Sequence, residues 1–248
     1  MHNLGHTRSA NRRDHLLLTP DTFIRTTLPG MKGCAAVVHV SPAAGAAFTQ
    51  CTAEFEPGGT LGPAGIPTSA ERFVYVLSGS IDVATDSSFH SLAAGGYAYM
   101  PAGVAHTLAA QQATRLALIE KVYMPLEGVA APAALMGREE DVAATALMGD
   151  PDLQVRTLLP DEAGFDFAVN TMTYQPGAAL SMVEVHVMEH GLLMLEGGGI
   201  YRLGDAWYPV TAGDFIWMAP FCPQWFGAIG KQPAKYLIYK DSNRHPLG

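Results

Sequence analysis

Residues 95–106 read GGYAYMPAGVAH and residues 213–224 read GDFIWMAPFCPQ, and the likeness of these two stretches decides the fold. The second stretch begins 118 positions after the first, and the same offset relates their last residues, His106 and Gln224. A fixed period that covers most of a chain is the mark of a duplicated structural unit. We therefore expect two copies of one fold, because 248 residues suffice for two cores of about 120 residues each.

Both copies consist of short apolar, β-branched and aromatic runs that glycine and proline interrupt, and such runs predict strands. With 26 Gly and 17 Pro, turns should be frequent and helices few. Strands of this length and spacing favour an all-β sandwich or barrel over alternating strands and helices. The predicted strands are 73–77, 81–85, 97–100 and 115–122 in the first copy, and 182–187, 192–195, 200–203, 207–210, 215–218 and 236–239 in the second.

The repeat also sets the expected domain boundaries. Residues 1–124 are expected to form the first unit, with additional strands before Cys51, and residues 159–248 the second. Residues 125–158 are rich in Ala, Pro and Gly, so we expect a linker there, with a short helix over 138–148.

Composition and charge exclude several classes of function. The net charge is −8 and Lys and Arg form no dense cluster, so a nucleic acid is not expected as a partner. No apolar run approaches the roughly 20 residues of a membrane-spanning helix, and the N-terminus has no apolar leader. We therefore expect no membrane partner and a cytoplasmic location. The three cysteines, Cys34, Cys51 and Cys222, lack CxxC spacing and are expected to be reduced thiols.

The second copy carries a group of side chains that can bind a metal ion. Glu184 and His186 are two positions apart, so on a strand they point to the same side. His190 follows a bend and Gln224 lies on a distant strand, and both can point into the same barrel interior. Two imidazoles, a carboxylate and an amide oxygen suit Mn²⁺, Fe²⁺ or Ni²⁺ with open coordination positions, and the amide oxygen favours Mn²⁺. The predicted metal ligands are these four residues.

The repeat provides an internal control for this metal site. In the first copy the corresponding positions hold Ile66 or Pro67, Thr68, Arg72 and His106. Only His106 of these can bind a metal ion, so the metal site there is expected to be lost. Residues 186–190 also match H-x-x-E-H, a zinc-peptidase pattern that requires a helix. Their β-branched flanks and their place in the repeat favour strands instead, which argues against a peptidase.

The motifs of the two copies resemble those of the cupin superfamily. Residues 95–106 contain the pattern G-x5-P-x-G-x2-H in full. Residues 184–197 contain the other cupin motif with its ligands in altered order, E-x-H-x3-H, followed by six residues and a glycine. In the second copy Ala219 and Phe221 stand where Pro and Gly are usual. The chain thus resembles the bicupin family, which implies two tandem cupin β-barrels of the jelly-roll type.

A more specific resemblance rests on the ligand order, the glutamine at the fourth ligand position and the C-terminal stretch YLIYKDSNR at 236–244. Together with LLLTPDTFIRTTLPG at 16–30, these features resemble the (S)-ureidoglycine aminohydrolase family over nearly the whole chain. The resemblance implies a Mn²⁺-dependent hydrolase of purine degradation that converts (S)-2-ureidoglycine and water to (S)-ureidoglycolate and ammonia. It also implies that Lys240 contacts the substrate and that Tyr201 and Tyr236 line the pocket.

The residues themselves leave the chemistry partly open. Lys240 could pair with a substrate carboxylate or transfer a proton. Glu184 could act as a base, although a metal-bound carboxylate is a weak one, so we take it as a ligand first. Lys121 lies 119 positions before Lys240, and the lysine could therefore be a relic of the duplication.

Two other functions also stay open. One is a metal-dependent bicupin dioxygenase, and the other is a cupin that binds a small ligand without catalysis. A homo-oligomer is expected in each case, because barrels often associate through apolar strand edges.

Overall fold

The computed structural model describes residues 5–64 and 66–247, and strands dominate this part of the chain. Its helices are three 3₁₀ turns, Pro20–Thr22, Pro42–Ala44 and Glu139–Asp141. None of these described helices has the length and apolar character that a membrane crossing would require. The prediction of an all-β fold is confirmed.

The strands are numbered here in chain order. The first eleven are β1 (Ala10–Asn11), β2 (His15–Leu18), β3 (Arg25–Thr26), β4 (Met31–Val40), β5 (Thr49–Leu61), β6 (Ala70–Ser78), β7 (Ser80–Thr85), β8 (Phe89–Ala93), β9 (Gly96–Met100), β10 (His106–Ala109) and β11 (Thr114–Val122). The remainder are β12 (Leu135–Arg138), β13 (Thr145–Leu147), β14 (Asp150–Thr157), β15 (Phe167–Tyr174), β16 (His190–Glu196), β17 (Gly198–Leu203), β18 (Ala206–Thr211), β19 (Phe215–Met218), β20 (Gln224–Ala228) and β21 (Ala234–Asp241).

The N-terminal unit comprises the described residues of 24–142 together with Glu162–Asp166. Its sheet has the strand order β12-β9-β6-β11-β5-β10-β7-β8, with β4 paired to β5 and β3 to β4. Side chains such as Val74, Leu116 and Leu118 are fully or almost fully buried in its core. Neighbouring strands are antiparallel, and successive side chains along each strand point to opposite faces of the sheet.

The C-terminal unit comprises the described residues before 24, the segment Ala143–Asp161 and residues 167–247. One sheet has the order β1-β2-β19-β16-β21-β15-β14-β13, and a second has the order β18-β17-β20. Leu192, Ile238 and Phe226 belong to its core, as does Leu17 from β2.

The division of the chain differs from the predicted boundaries at 124 and 158. The N-terminal strand β2 lies in the C-terminal unit, where His15 pairs with Met218 of β19 and Leu17 is fully buried. Residues 125–142 belong to the N-terminal unit, in which β12 pairs with β9. Side-chain burial explains why the N-terminal arm, residues 5–23, joins the C-terminal unit. Alternate residues of its short run HLLL at 15–18 are buried there.

The helix predicted over 138–148 is wrong. This stretch holds the end of β12, a 3₁₀ turn and the strand β13. Tertiary contacts override the local preference here: the Glu139 N–H donates to the Gly95 carbonyl over 2.9 Å, and the buried Glu139 carboxylate accepts a hydrogen bond from Tyr75.

Candidate active site

The segment that carries Glu184 and His186 is extended but is not the regular strand predicted for 182–187. One isolated antiparallel bridge joins Glu184 to Gln224, with backbone N–O distances of 2.9 and 3.0 Å. Glu184 and His186 are half-buried, whereas the valines between and beside them, Val183, Val185 and Val187, are exposed. The alternation that predicted a common direction for these two side chains is therefore confirmed.

A turn before Gln224 explains why the ladder stops at one bridge. Pro220 and Pro223 have no N–H to donate, and Cys222 bonds back to the Ala219 carbonyl over 3.1 Å. Phe221 donates its N–H to the His186 carbonyl over 2.8 Å while its own φ is 63°. Its counterpart in the repeat is a glycine with φ of 83°, so the second copy keeps the left-handed turn at a cost of about 1–2 kcal/mol for a side chain there.

The other two predicted ligands begin regular strands. His190 is the first residue of β16 and Gln224 the first of β20, and both are buried, at 2% and 3% exposure. His190 lies directly opposite Met218 on one side and Lys240 on the other. Residues directly opposite each other in an antiparallel pair point to the same face, so His190 and Lys240 share the interior of the unit.

The four predicted ligands come together around the His186 imidazole. Its Nε2 atom lies 3.3 Å from His190 Nε2, 2.9 Å from Gln224 Nε2 and 3.8 Å from Glu184 Oε2. The two imidazole rings meet edge to face, with centroids 4.9 Å apart. Residues separated by up to 40 positions in the chain are thus gathered at one point.

The protonation of this group suits a divalent cation. The His190 Nδ1 faces the Tyr239 carbonyl over 3.2 Å, which makes Nδ1 the donor and leaves the Nε2 lone pair directed at His186. Burial, followed by the charges of His186 and Lys240, lowers the pKa of His190 to about 3, so its imidazole is neutral. The His186 Nδ1 is buried without a hydrogen-bond partner among the described residues. Facing lone pairs of this kind fit a metal ion, and turning the Gln224 amide by 180° would present its oxygen as a ligand.

Lys240 lies on β21 in the same interior. Burial is the main cause that lowers the pKa of its ammonium, while the carboxylates of Glu184 and Asp161 act in the opposite direction. The Asn170 amide fits its neighbours when Oδ1 accepts from Lys240 Nζ over 3.0 Å and Nδ2 donates to the Val169 carbonyl over 3.0 Å. A cation is thereby held close to the carboxylate of the ligand group.

Tyr201 and Tyr236, both predicted pocket residues, are buried beside the same group. The Tyr201 hydroxyl donates to Gln224 Oε1 over 3.5 Å, and the Tyr236 hydroxyl lies 2.7 Å from that of Tyr174. Burial, and behind it nearby tyrosines and Glu184, raises the pKa of Tyr201 and of Tyr236 well above its ordinary value. These hydroxyls therefore stay protonated and able to donate.

A cavity of about 150 Å³ opens beside Lys240 in the C-terminal unit. Its walls include Asn170, Asp161, Thr157 and Met188, so a charged group and several polar groups face an open space. Of the residues predicted for the site, Lys240 alone lines this cavity, and the ligand group lies outside its walls. A molecule of a few heavy atoms fits such a space.

Another set of metal-capable atoms lies elsewhere in the C-terminal unit. Atoms of Asp14, His15 and Cys222 are within 4.8 Å of one another. Both ring nitrogens of His15 already have partners, Asp14 Oδ1 and the Tyr208 hydroxyl, each at 2.9 Å. Burial raises the pKa of the Cys222 thiol to about 11, which disfavours the thiolate that a metal requires. This set is satisfied by its own hydrogen bonds, and a sequence search for ligands did not single it out.

The N-terminal unit fills the corresponding position with a side-chain cation. Arg72 donates to His106 Nε2 over 2.8 Å and forms an ion pair with Glu120 over 2.7 Å, and it is only 3% exposed. Arg72 lies opposite Glu120, as His190 lies opposite Lys240, so Glu120 is the structural counterpart of Lys240. Lys121 belongs to the other face, where it pairs with Asp166. Lys121 and Lys240 therefore do not occupy equivalent positions of the repeat, and the hypothesis that Lys240 is a relic of the duplication is wrong.

Two β units with the same repeated motifs, one of which gathers two imidazoles, a carboxylate and an amide, define a double cupin. The Cupin domain family model accordingly matches residues 51–120 and 170–239.

Relatives that match nearly the whole of this chain identify a narrower family within the double cupins. The chain is 42% identical over 246 residues to a "Probable (S)-ureidoglycine aminohydrolase" of Oryza sativa subsp. japonica, covering 98% of this chain and 78% of that protein. It is 40% identical over 244 residues to the (S)-ureidoglycine aminohydrolase of Arabidopsis thaliana, covering 98% and 80%. The crystal structure of protein Ylba from E. coli superposes with a TM-score of 0.87 at 30% identity, covering 98% and 97%. The chain belongs to the (S)-ureidoglycine aminohydrolase family.

The structure adds two residues that the sequence did not single out. Asn170 contacts Lys240, and Tyr174 contacts Tyr236. Each lies on β15 and points inward, because each is opposite an inward residue of β21. A polar residue in an apolar alternating strand was the available signal for Asn170 (FAVNTMTY), but one such residue does not identify its partner.

Proposed function

We propose that the C-terminal unit hydrolyses (S)-2-ureidoglycine to (S)-ureidoglycolate and ammonia, with Mn²⁺ held by Glu184, His186, His190 and Gln224. The observation that carries the proposal is the sharing of one interior by this ligand group and the buried ammonium of Lys240. The names of the full-length relatives support the choice of substrate. The donor set, which contains no thiolate, supports Mn²⁺ over a zinc site of the structural type.

Bound Mn²⁺ would supply Lewis acidity and a fixed point for substrate oxygen atoms. The protein residues supply the rest. His190 is held in one tautomer by the Tyr239 carbonyl, and Gln224 is held by its backbone bridge to Glu184. Glu184 is half-buried and contributes negative charge that balances a cation. Fixed ligands of this kind would hold a substrate in one orientation and so control its stereochemistry.

The reaction replaces one bond at the central carbon of the substrate. The C–N bond to the amine breaks, and the amine leaves as ammonia after gaining a proton. A water molecule forms the new C–O bond and gives up one proton, which replaces the proton that the amine gained. The largely buried Lys240 lies directly opposite the ligand His190, and its ammonium has two suitable partners on the substrate. It can pair with the carboxylate, or it can give a proton to the departing amine, which a lowered pKa makes easier.

The tyrosines would orient the substrate rather than exchange protons with it. Because burial keeps Tyr201 and Tyr236 protonated, they can donate hydrogen bonds to carboxylate or ureido oxygens at any working pH. Their rings pack against Phe226, so their hydroxyls are held in place.

The test is ammonia release from freshly prepared ureidoglycine, measured with Mn²⁺, without it and after chelation. Because this substrate, an aminal, also loses ammonia spontaneously, the chirality of the product should be determined in the same samples. We expect Mn²⁺-dependent acceleration and a single enantiomer. A racemic product formed at the uncatalysed rate would exclude this function. Turnover that stops when oxygen is removed would favour a dioxygenase instead.

We also propose a homo-oligomer that works in the cytoplasm. The three cysteines are free, which suits a reducing compartment. Val183, Val185 and Phe221 expose apolar side chains on one stretch of surface, which suits burial against a second copy. Light scattering after size-exclusion chromatography tests the assembly, and a monomer at micromolar concentration would refute it.

A further inference from the structure

We propose that Asn170 is a positioning residue that holds the Lys240 ammonium for the reaction. The inference rests on the proposed function, because it assigns a role within that site. It concerns a residue that lies on a different strand from each of the four ligands.

The register of the sheet brings Asn170 to Lys240. On β15, Ala168 lies directly opposite Lys240 and Asn170 lies opposite Ile238, two positions along. Asn170 and Lys240 are therefore diagonal neighbours on the same inward face, a spacing that a long side chain can bridge. Both residues line the same cavity of about 150 Å³.

The amide of Asn170 has one orientation that satisfies both of its neighbours. Its Nδ2 donates to the Val169 carbonyl over 3.0 Å, which directs Oδ1 toward Lys240 Nζ, also at 3.0 Å. The reverse orientation would set the amide nitrogen against the ammonium and the amide oxygen against a carbonyl. The Val169 carbonyl thus fixes the orientation of the Asn170 amide, and the amide oxygen fixes the position of the Lys240 ammonium. At 4% exposure, Asn170 has little access to water as an alternative partner.

The N-terminal unit shows that the fold itself does not require an amide here. Its strand β5 places Cys51 opposite Leu118, two positions from Glu120, which is the counterpart of Lys240. Cys51 is therefore the counterpart of Asn170, and it packs in the apolar core of its unit. A buried amide without a partner costs stability, so an amide at this position of the C-terminal unit, where the N-terminal unit has Cys51, points to a task there. Both positions of the pair therefore differ between the units: the N-terminal unit has Cys51 and Glu120, and the C-terminal unit has Asn170 and Lys240.

The decisive experiment is a double-mutant cycle in the full-length protein loaded with Mn²⁺, using N170A, K240A and the double variant. We expect N170A to lower kcat by about 10- to 100-fold with little change in KM, because the ammonium is misplaced rather than removed. In the K240A background the same change should have almost no effect. Equal losses of kcat in the two backgrounds would show that Asn170 does not act through Lys240.

Thr171→Ala is the matched control, because Thr171 is a buried neighbour on the same strand whose side chain points to the other face. We expect its kcat to stay near the wild-type value. A loss in T171A as large as that in N170A would assign the effect to general damage of β15 and overturn the inference.

A second measurement does not depend on the substrate. Acylation of Lys240 with a water-soluble ester, read by peptide mass spectrometry against the exposed Lys231, should rise several-fold in N170A. An unchanged ratio would overturn the positioning role even if ureidoglycine is the substrate. If the wild type fails to turn over ureidoglycine but the labelling ratio rises, the proposed function fails and the contact between Asn170 and Lys240 stands.

Discussion

Replacing Lys240 with methionine removes the ammonium and keeps a side chain of similar length, so it separates the charge from its packing. General acid–base catalysis by one positioned group contributes about 100- to 10,000-fold to the rate. We therefore expect kcat/KM to fall by that factor, about 2.7–5.5 kcal/mol of transition-state stabilisation. If Lys240 pairs with the carboxylate, KM should rise as well; if it protonates the amine, kcat alone should fall.

The stability of the same variant is predicted to change little. The Asn170 Oδ1 atom loses its donor, which costs about 1–3 kcal/mol for a buried group. Against this, the fold no longer buries an ammonium whose pKa burial has lowered. Because these effects oppose each other, we expect the free energy of unfolding to change by less than about 1–2 kcal/mol.

The assay couples ammonia release to oxidation of a nicotinamide cofactor, with the spontaneous rate subtracted, and urea unfolding gives the stability. Lys235→Met, five positions back on β21, is the control for loss of a lysine from this strand. Wild-type kcat/KM in K240M would refute the catalytic role. A large loss of stability in K240M together with unchanged metal content would instead show that Lys240 is structural.

Two further variants test the metal site and a buried carboxyl group. The His190→Ala variant should bind no Mn²⁺ by elemental analysis, and its melting temperature should no longer rise when Mn²⁺ is added. The control variant H106A should keep both properties. Equal losses in the two variants would contradict the assignment of the metal site to the C-terminal unit. Glu71 has a pKa that burial, and then Asp166, raises well above its ordinary value, so folding stability should fall as pH rises from about 5 to 9. E71Q should show a flatter profile in urea unfolding, and parallel profiles would refute the protonated carboxyl.

The duplication and the common direction of Glu184 and His186 could be predicted from the sequence. The 118-residue offset is a matter of counting, and Glu184 and His186 share a direction because the extended chain has a period of two. That direction survives although a single bridge replaces the predicted strand.

The counterpart of Lys240 could not be predicted by counting. The offset of the repeat is not constant: it is 118 between Gly95 and Gly213 but 120 between the paired counterparts Glu120 and Lys240. Because neighbouring positions on a strand point to opposite faces, a slip of one residue exchanges inside and outside. Counting from Lys240 leads to Lys121, whose buried side chain pairs with Asp166 on the face of β11 opposite to that of Arg72. Pairing leads to Glu120, which lies on the same face as Arg72.

The pairing of the N-terminal arm with the C-terminal sheet also could not be predicted from the local sequence pattern. Four residues of β2 contain too little periodicity to show which sheet they join. Their pairing with β19 depends on an open edge that exists only once the C-terminal sheet has formed. The contact of Asn170 with Lys240 could not be predicted for the same reason. It depends on the register between β15 and β21 and not on residues near Asn170 in the chain.

The N-terminal arm has a consequence for how this protein is made on the ribosome. His15 and Met218 are 203 positions apart in the chain, so at 5–20 residues per second β2 emerges roughly 10 to 40 s before its partner strand β19. During that time the N-terminal unit can obtain nearly all of its own residues while the apolar run HLLL has no sheet to join. One of the first strands to be translated is thus among the last to join its sheet. Engineered versions that begin at residue 159 would leave the edge of β19 bare, and a separate peptide that supplies residues 5–23 is the natural way to close it.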